Sequence, residues 1–333
     1  MVSQPQDANF RVSFSEEMPV VQLPTRLSVL EAVAFKETCQ QLFVAVPPPT
    51  KLVLDFSQTV FMDSSAVGAL VNNVRTAQQK GIDLVLRNVQ PQVMAVLSIT
   101  GLDQVLTVER SGSPPLATDR KNRVENQLPT THPSVRSWVK RFLDVIGAIV
   151  GLGITAILLI PIGIAIKLDS PGPIFFSQIR CGWMGRRFRL WKLRSMCTNA
   201  EALKSQVENK VEGPLFKNDN DPRITKVGRF LRRTSLDELP QFLNVLKGDM
   251  SLVGTRPPTP DEVERYEVPE WQRLDVKPGM TGEWQVNGRS KITKFEDVIK
   301  MDLQYQKNWS LIYDLKLIVK TILVLFRKNS GAM

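Results

Sequence analysis

A chain of 333 residues has room for two domains, each with its own core, and its net charge of +10 is unevenly shared. Residues 1–135 carry 11 Lys/Arg against 12 Asp/Glu, and residues 136–333 carry 32 against 21, so the two halves face different partners. Three widely spaced cysteines and a single histidine, His132, in a Pro/Thr-rich stretch exclude a disulfide framework and a histidine-based zinc site; chemistry is left to carboxylates, hydroxyls, Lys/Arg or a hard cation.

The first residues lack the basic-then-apolar pattern of a signal peptide, so the N-terminus is expected to stay in the cytoplasm. Residues 10–14 alternate as a strand, and 20–23 read as its neighbour. Helical spacing over 27–43 stops at Pro47-Pro48-Pro49. A buried-strand pattern at 51–56, a helix over 64–79, a strand at 82–86 and a helix over 91–100 complete a small α/β domain, residues 8–110, without a visible catalytic set.

The junction Met62-Asp63-Ser64-Ser65, with the strand ending Leu54-Asp55-Phe56 and the later Gly101-Leu102-Asp103, resembles the STAS family, the fold of bacterial anti-sigma-factor antagonists and sulfate-transporter tails. The resemblance implies a mixed sheet with helices acting as a regulatory or partner-binding module. It makes Ser65 a candidate for regulatory phosphorylation by a kinase. A helix N-terminus suits a phosphate; Asp63 and Ser64 as simple helix caps are the plainer reading.

Residues 111–134, rich in Ser, Pro, Thr and charge, read as a flexible linker. A run of 22 residues without a charge, 145–166, then follows, long enough to cross a bilayer. Arg136, Lys140 and Arg141 precede it, and Lys167, Arg180 and Arg186 are among the cations that follow, so both flanks are drawn to the cytoplasm. A re-entrant segment bent near Pro161 satisfies both flanks better than a single span.

Beyond it, residues 180–196 interleave bases with aromatics, a mix suited to nucleic acid or to anionic headgroups; beside an apolar run the headgroup reading is preferred. Ser235-Leu236-Asp237-Glu238 has the form of a capping box, with Ser235 as N-cap.

Several motifs then fall in order: Lys140-Arg141-Phe142-Leu143-Asp144, Lys192-Leu193-Arg194-Ser195-Met196, Ser235-Leu236-Asp237-Glu238-Leu239-Pro240-Gln241, Asn244-Val245-Leu246-Lys247-Gly248-Asp249, Arg256-Pro257, Lys277-Pro278-Gly279 and Gln285-Val286-Asn287-Gly288-Arg289. Residues 135–333 thereby resemble the monotopic phosphoglycosyl transferases, bacterial sugar transferases that begin glycan assembly on polyprenyl phosphate. The resemblance implies a mostly helical, membrane-associated α/β catalytic domain with a re-entrant helix, on the cytoplasmic face of the bacterial inner membrane. It implies transfer of a sugar-1-phosphate from a UDP-sugar to undecaprenyl phosphate through an aspartyl intermediate, with Mg²⁺ as cofactor. Asp237 matches the nucleophile and stands as metal ligand, and Glu238 is its catalytic partner. Arg232, Arg256, Arg289 and Lys192 are the phosphate- or substrate-binding candidates. The chain departs from the family at Thr255, where a proline is usual, and at Ala156-Ile157, where a Ser-Pro pair usually bends the helix.

Residues 310–326 close with Leu311, Ile312, Leu315, Ile318, Val319, Ile322 and Leu323 on one helical face, fitting an interfacial helix or ordinary core packing. The alternative is a membrane-tethered STAS regulator with an inactive transferase half. A nucleic-acid partner, motivated by charge alone, is not expected.

Overall fold

The computed structural model describes residues 10–15, 18–109, 131–203, 207, 218, 221–287 and 294–326, so most of the expected linker and the candidate Arg289 lie outside the described residues. Two compact units result. The first comprises residues 1–131 with 184–186 and 266–275, and the second holds the rest.

In the first unit, alternation and β-branched runs give β1 (Arg11–Ser15), β2 (Met18–Gln22), β3 (Arg26–Leu27), β4 (Lys51–Asp55), β5 (Phe61–Met62), β6 (Asp83–Arg87) and β7 (Thr107–Glu109). A five-stranded sheet runs β1-β2-β4-β6-β7, antiparallel only between β1 and β2, and β3 pairs with β5. The helices are α1 (Val29–Phe43), α2 (Ser64–Lys80) and α3 (Pro91–Thr100). The parallel strands are continuous apolar runs, Leu52, Val53 and Leu54 all fully buried, as strands covered on both faces require. The mixed sheet with helices agrees with the sequence reading, and so does each expected helix.

The second unit is organised around one long helix. A short α4 (Pro133–Arg136) leads to α5 (Trp138–Asp169), whose N-cap Ser137 accepts the Lys140 N–H. At 32 residues it is the one described helix long and apolar enough to cross a membrane. The expected segment 145–166 lies inside it. The helix continues through Pro161 without dividing there, although a proline has no N–H for the carbonyl one turn back.

The helix is inside-out. Lys140, Asp144, Ala148, Gly151 and Thr155 face inward, while Ile146, Ile149, Ile157, Ile160 and Ile164 are exposed. The small residues allow close packing: a Cβ on Gly151 would fall 2.5 Å from the Phe242 ring. The hairpin β8 (Phe175–Cys181) and β9 (Arg187–Leu193) follows, then α6 (Lys226–Arg233) and α7 (Phe242–Lys247). β10 (Ser251–Val253) pairs in parallel with β11 (Gly279–Thr281), and α8 (Pro260–Val263), α9 (Glu283–Asn287), α10 (Phe295–Lys307) and α11 (Leu311–Phe326) complete the unit.

The first turns of α5 grip three elements. Lys140 Nζ pairs with Asp314 Oδ2 at 2.5 Å and donates to the Val253 carbonyl at 3.0 Å. Arg141 donates to the carbonyls of Val245 and Leu246, at the end of α7. Asp144 accepts from the Ser251 hydroxyl and the Leu252 N–H. Asp314 also accepts from Tyr305 Oη at 2.8 Å and Trp309 Nε1 at 3.1 Å. On α11 the carboxylate thus points inward, while Ile312, Leu315, Val319, Ile322 and Leu323 are exposed. Of the two readings of this helix, ordinary core packing does not fit these exposed residues.

Asp314→Ala strands the Lys140 ammonium in the core and should cost about 3–5 kcal/mol. The double replacement Lys140→Met/Asp314→Leu should recover much of that loss. Thermal melts of the detergent-solubilised protein check the order, and a single variant as stable as the double one contradicts it.

Candidate active site

Asp237 and Glu238 sit on a 3-10 turn, Leu236–Gln241, that joins α6 to α7. The expected capping box does not form. Ser235 is left-handed (φ 55°, ψ 20°) and makes no capping hydrogen bond, because an N-cap needs extended backbone to aim its oxygen at the turn. A non-glycine residue in this conformation carries strain that the surrounding structure must hold. The kink buries the Asp237 side chain and leaves Glu238 half-buried beside a cavity.

Three strands of packing fix this turn. Buried Asn244 on α7 donates to the Arg189 carbonyl at 2.7 Å and accepts from the Trp191 N–H, which locks β9 against it. β9 thereby delivers Lys192, whose Nζ lies 2.9 Å from Glu238 Oε1 and 3.9 Å from Asp237 Oδ2. On α6, a Cβ at Gly228 would fall 2.0 Å from the Ser195 carbonyl, so only glycine permits the approach that lets Arg232 Nε donate to Ser195 Oγ at 3.0 Å. Burial lowers the Arg232 pKa, against the pull of the Asp237, Asp221 and Glu238 carboxylates.

Arg256 follows β10. Glu262 on α8 takes its guanidinium in a two-point bond at 2.7 and 3.1 Å. Burial pushes the Glu262 carboxyl up, but Arg256 and Arg180 more than offset this and leave it below its ordinary value. Thr255 does not disturb the loop: it is buried, and its carbonyl accepts the Gly279 N–H at 2.8 Å.

Lys192, Glu238 and Arg256 line one cavity of about 620 Å³. Its apolar wall includes Val150 and Ile154 from α5, Leu252 and Met280, and Ile318 and Ile322 from α11. Asp237 and Arg232 are not among the lining residues. Asp237, Glu238, Lys192 and Arg232 are therefore brought together, and Arg256 reaches the same cavity. Two lining or supporting residues were missed from sequence. Arg180 on β8 was read as a membrane-flank cation, and Glu262 was not singled out. No pattern in the sequence marks them; only the pairing of β8 with the Arg256 loop reveals them.

Among the described residues, no three of His, Cys, Asp or Glu gather as a metal group. The oxygen donors at hand are the adjacent carboxylates of Asp237 and Glu238. One or two carboxylates completed by phosphate oxygens and water is how Mg²⁺ is ordinarily held, so the pair fits Mg²⁺ arriving with a phosphate ester.

In the first unit, Ser65 is fully buried and its Oγ has no hydrogen-bond partner. Neighbouring Ser64 donates its N–H to Asp275 and its hydroxyl to the Trp271 carbonyl, while Asp63 caps α2 through the Ala66 N–H. The plain capping reading holds for Asp63. A kinase would reach Ser65 only after this turn opens.

Residues 135–328 match the bacterial sugar transferase family and residues 9–112 the STAS domain. Over 190 residues the chain is 54% identical to the galactosyl transferase CpsE of Streptococcus agalactiae, covering 56% of this chain and 41% of that one. It is 44% identical over 218 residues to the undecaprenyl-phosphate galactose phosphotransferase of Salmonella typhimurium, covering 63% and 44%. A UDP-glucose:undecaprenyl-phosphate glucose-1-phosphate transferase of Escherichia coli is 42% identical over 195 residues, covering 56% and 40%. The chain thus spans less than half the length of these three relatives.

Burial, then the Asp275 charge, raises the Asp63 carboxyl from its ordinary 3.8 to about 7. The folded state then holds a proton that the unfolded chain has released, so stability should fall as pH rises from about 4 to 7. Asp63→Asn should flatten that fall, as read from unfolding midpoints between pH 4 and 8. Equal slopes in both proteins contradict the assignment.

Proposed function

Since the chain belongs to the bacterial sugar transferase family, through residues 135–328, we propose that it transfers a sugar-1-phosphate from a UDP-sugar to undecaprenyl phosphate, giving undecaprenyl-diphosphate-sugar and UMP. The observation that carries this reading is the buried Asp237 beside Lys192, which lines a largely apolar cavity together with Arg256.

In the first step an Asp237 carboxylate oxygen attacks the sugar-bearing phosphorus. The bond from that phosphorus to the bridging oxygen breaks, and UMP leaves with the oxygen. In the second step a phosphate oxygen of undecaprenyl phosphate attacks the phosphorus of the acyl phosphate, and the Asp237 carboxylate departs unchanged. A carboxylate attacks a diphosphate only where cations offset their repulsion. Lys192 supplies one such charge beside Asp237, and Glu238 holds that ammonium in place. Arg232, behind the turn, places a second charge in the field of Asp237. Arg256, fixed by Glu262, offers its remaining donors to phosphate oxygens. When bound, Mg²⁺ neutralises diphosphate charge, with Asp237 and Glu238 as the residues that would hold it.

The reading includes monotopic attachment to the cytoplasmic face of the bacterial inner membrane. The outward isoleucines of α5 and the exposed apolar stripe of α11 support it, since exposed apolar surface of this extent marks a membrane or partner site. The STAS part serves as a regulatory or partner-binding module, with Ser65 as a phosphorylation site when its turn opens.

The test is UMP release from a panel of UDP-sugars by membranes carrying the protein. Release should require Mg²⁺ and fall about 10³-fold or more in Asp237→Asn. Undiminished turnover in that variant, or no release from any UDP-sugar, contradicts the reading.

A further inference from the structure

Arg180 has no part in the reaction as derived so far, yet it lines the same cavity as Lys192 and Arg256. It sits near the end of β8, where the strand is tied to the loop that carries Arg256. The Cys181 N–H donates to the Pro258 carbonyl at 2.8 Å, and Arg180 Nη1 donates to the Pro257 carbonyl at 3.0 Å. Nη2 donates to Gln178 Oε1 at 2.8 Å, and Nε is buried with no partner. Two guanidinium groups therefore line one cavity, and Glu262 forms an ion pair with that of Arg256.

The charge count points the same way. Among the cavity-lining residues the charged ones are Arg180, Lys192, Arg256 and Glu238, and Lys192 is already paired with Glu238. Arg256 is paired with Glu262, so Arg180 carries the positive charge that remains beside a largely apolar wall. Burial and the Arg256 charge bring the Arg180 pKa down to about 10, which still leaves it charged at neutral pH. Glu262 offsets only one of two neighbouring guanidinium charges, and a phosphoryl group carrying about two negative charges can offer oxygens to both guanidinium forks.

We propose that Arg180 and Arg256 form a two-arginine clamp for a phosphoryl group, with Arg180 as a substrate-binding residue of this cavity. The inference rests on the phosphotransfer reading above and deepens it. Two phosphates could occupy the clamp in turn, the diphosphate of the sugar nucleotide and the terminal phosphate of the lipid acceptor. Both have the same chemistry at the guanidinium.

The experiment uses the full chain in detergent, with Arg180→Gln and Arg180→Lys. Pyrophosphate binding is measured by calorimetry, and KM is measured separately for UDP-sugar and for undecaprenyl phosphate. Arg180→Gln should weaken pyrophosphate binding and raise one KM about tenfold or more, with a smaller change in kcat. A raised donor KM places the nucleotide diphosphate in the clamp, and a raised acceptor KM places the lipid phosphate there. Arg180→Lys, which keeps the charge and loses the fork, should fall between Arg180→Gln and the unmodified protein. It carries the test alone where Arg180→Gln fails to fold. Pyrophosphate binding and both KM values within twofold of the unmodified protein, in a variant that melts normally, overturn the clamp. Pyrophosphate binding needs no turnover. Absence of UMP release by the unmodified protein thus counts against the transferase reading, while the clamp is judged on the binding ratio.

Discussion

The buried ion pair between Lys140 and Asp314 is the constraint on which the second unit depends. Its two charges lie within 2.5 Å and are nearly sealed from solvent. Such a pair adds little net stability over apolar packing, but neither member can be removed alone without a large penalty. What it provides is a fixed geometry. Through it the start of α5, the end of β10, and helices α10 and α11 meet at one point, with Tyr305 and Trp309 saturating the carboxylate. Arg141 and Asp144 extend the grip to α7 and β10. The apolar faces of α5 and α11 are thereby both turned outward.

The catalytic geometry follows from that grip. β10 leads directly to Arg256, and α7 is the continuation of the turn that holds Asp237 and Glu238. Asn244 then ties β9, and with it Lys192, to the same helix. The far end of α5 is held in a comparable way: Arg194 donates to the carbonyls of Pro171 and Ser170, which closes the helix C-terminus. The site is thus a set of charged side chains suspended from backbone contacts, each of which leads back to α5.

The fold of the first unit was largely legible because its strands and helices alternate with clear periods and are punctuated by Pro and Gly. Asp237, Glu238, Lys192 and Arg232 were legible as a resemblance to a family, and the structure gathers them. The conformation of their turn was not. Ser235 and Glu238 have capping-box spacing, but the demands of packing Asp237 against β9 put Ser235 in the left-handed region. Charge was legible only in part. Lys140, Arg141 and Arg180 all read as flanking cations of an apolar run, because sequence shows the sign of a side chain and its neighbours in the chain. Each also bonds a partner more than seventy residues away: an aspartate, the end of a helix, a loop carbonyl. α11 was ambiguous for a related reason. Its stripe of apolar residues has the same period whether it is buried or exposed, and only the inward Asp314 shows which face the fold covers.

The account stands on Asp237 as the residue that carries the phosphosugar between donor and acceptor. The direct measurement is incubation of purified protein with a UDP-sugar labelled in the sugar, in the absence of lipid acceptor, followed by peptide mapping. The label should appear on the peptide bearing Asp237, be absent in Asp237→Asn, and be discharged on adding undecaprenyl phosphate. Label on another residue, or full turnover by a protein that never becomes labelled, contradicts it.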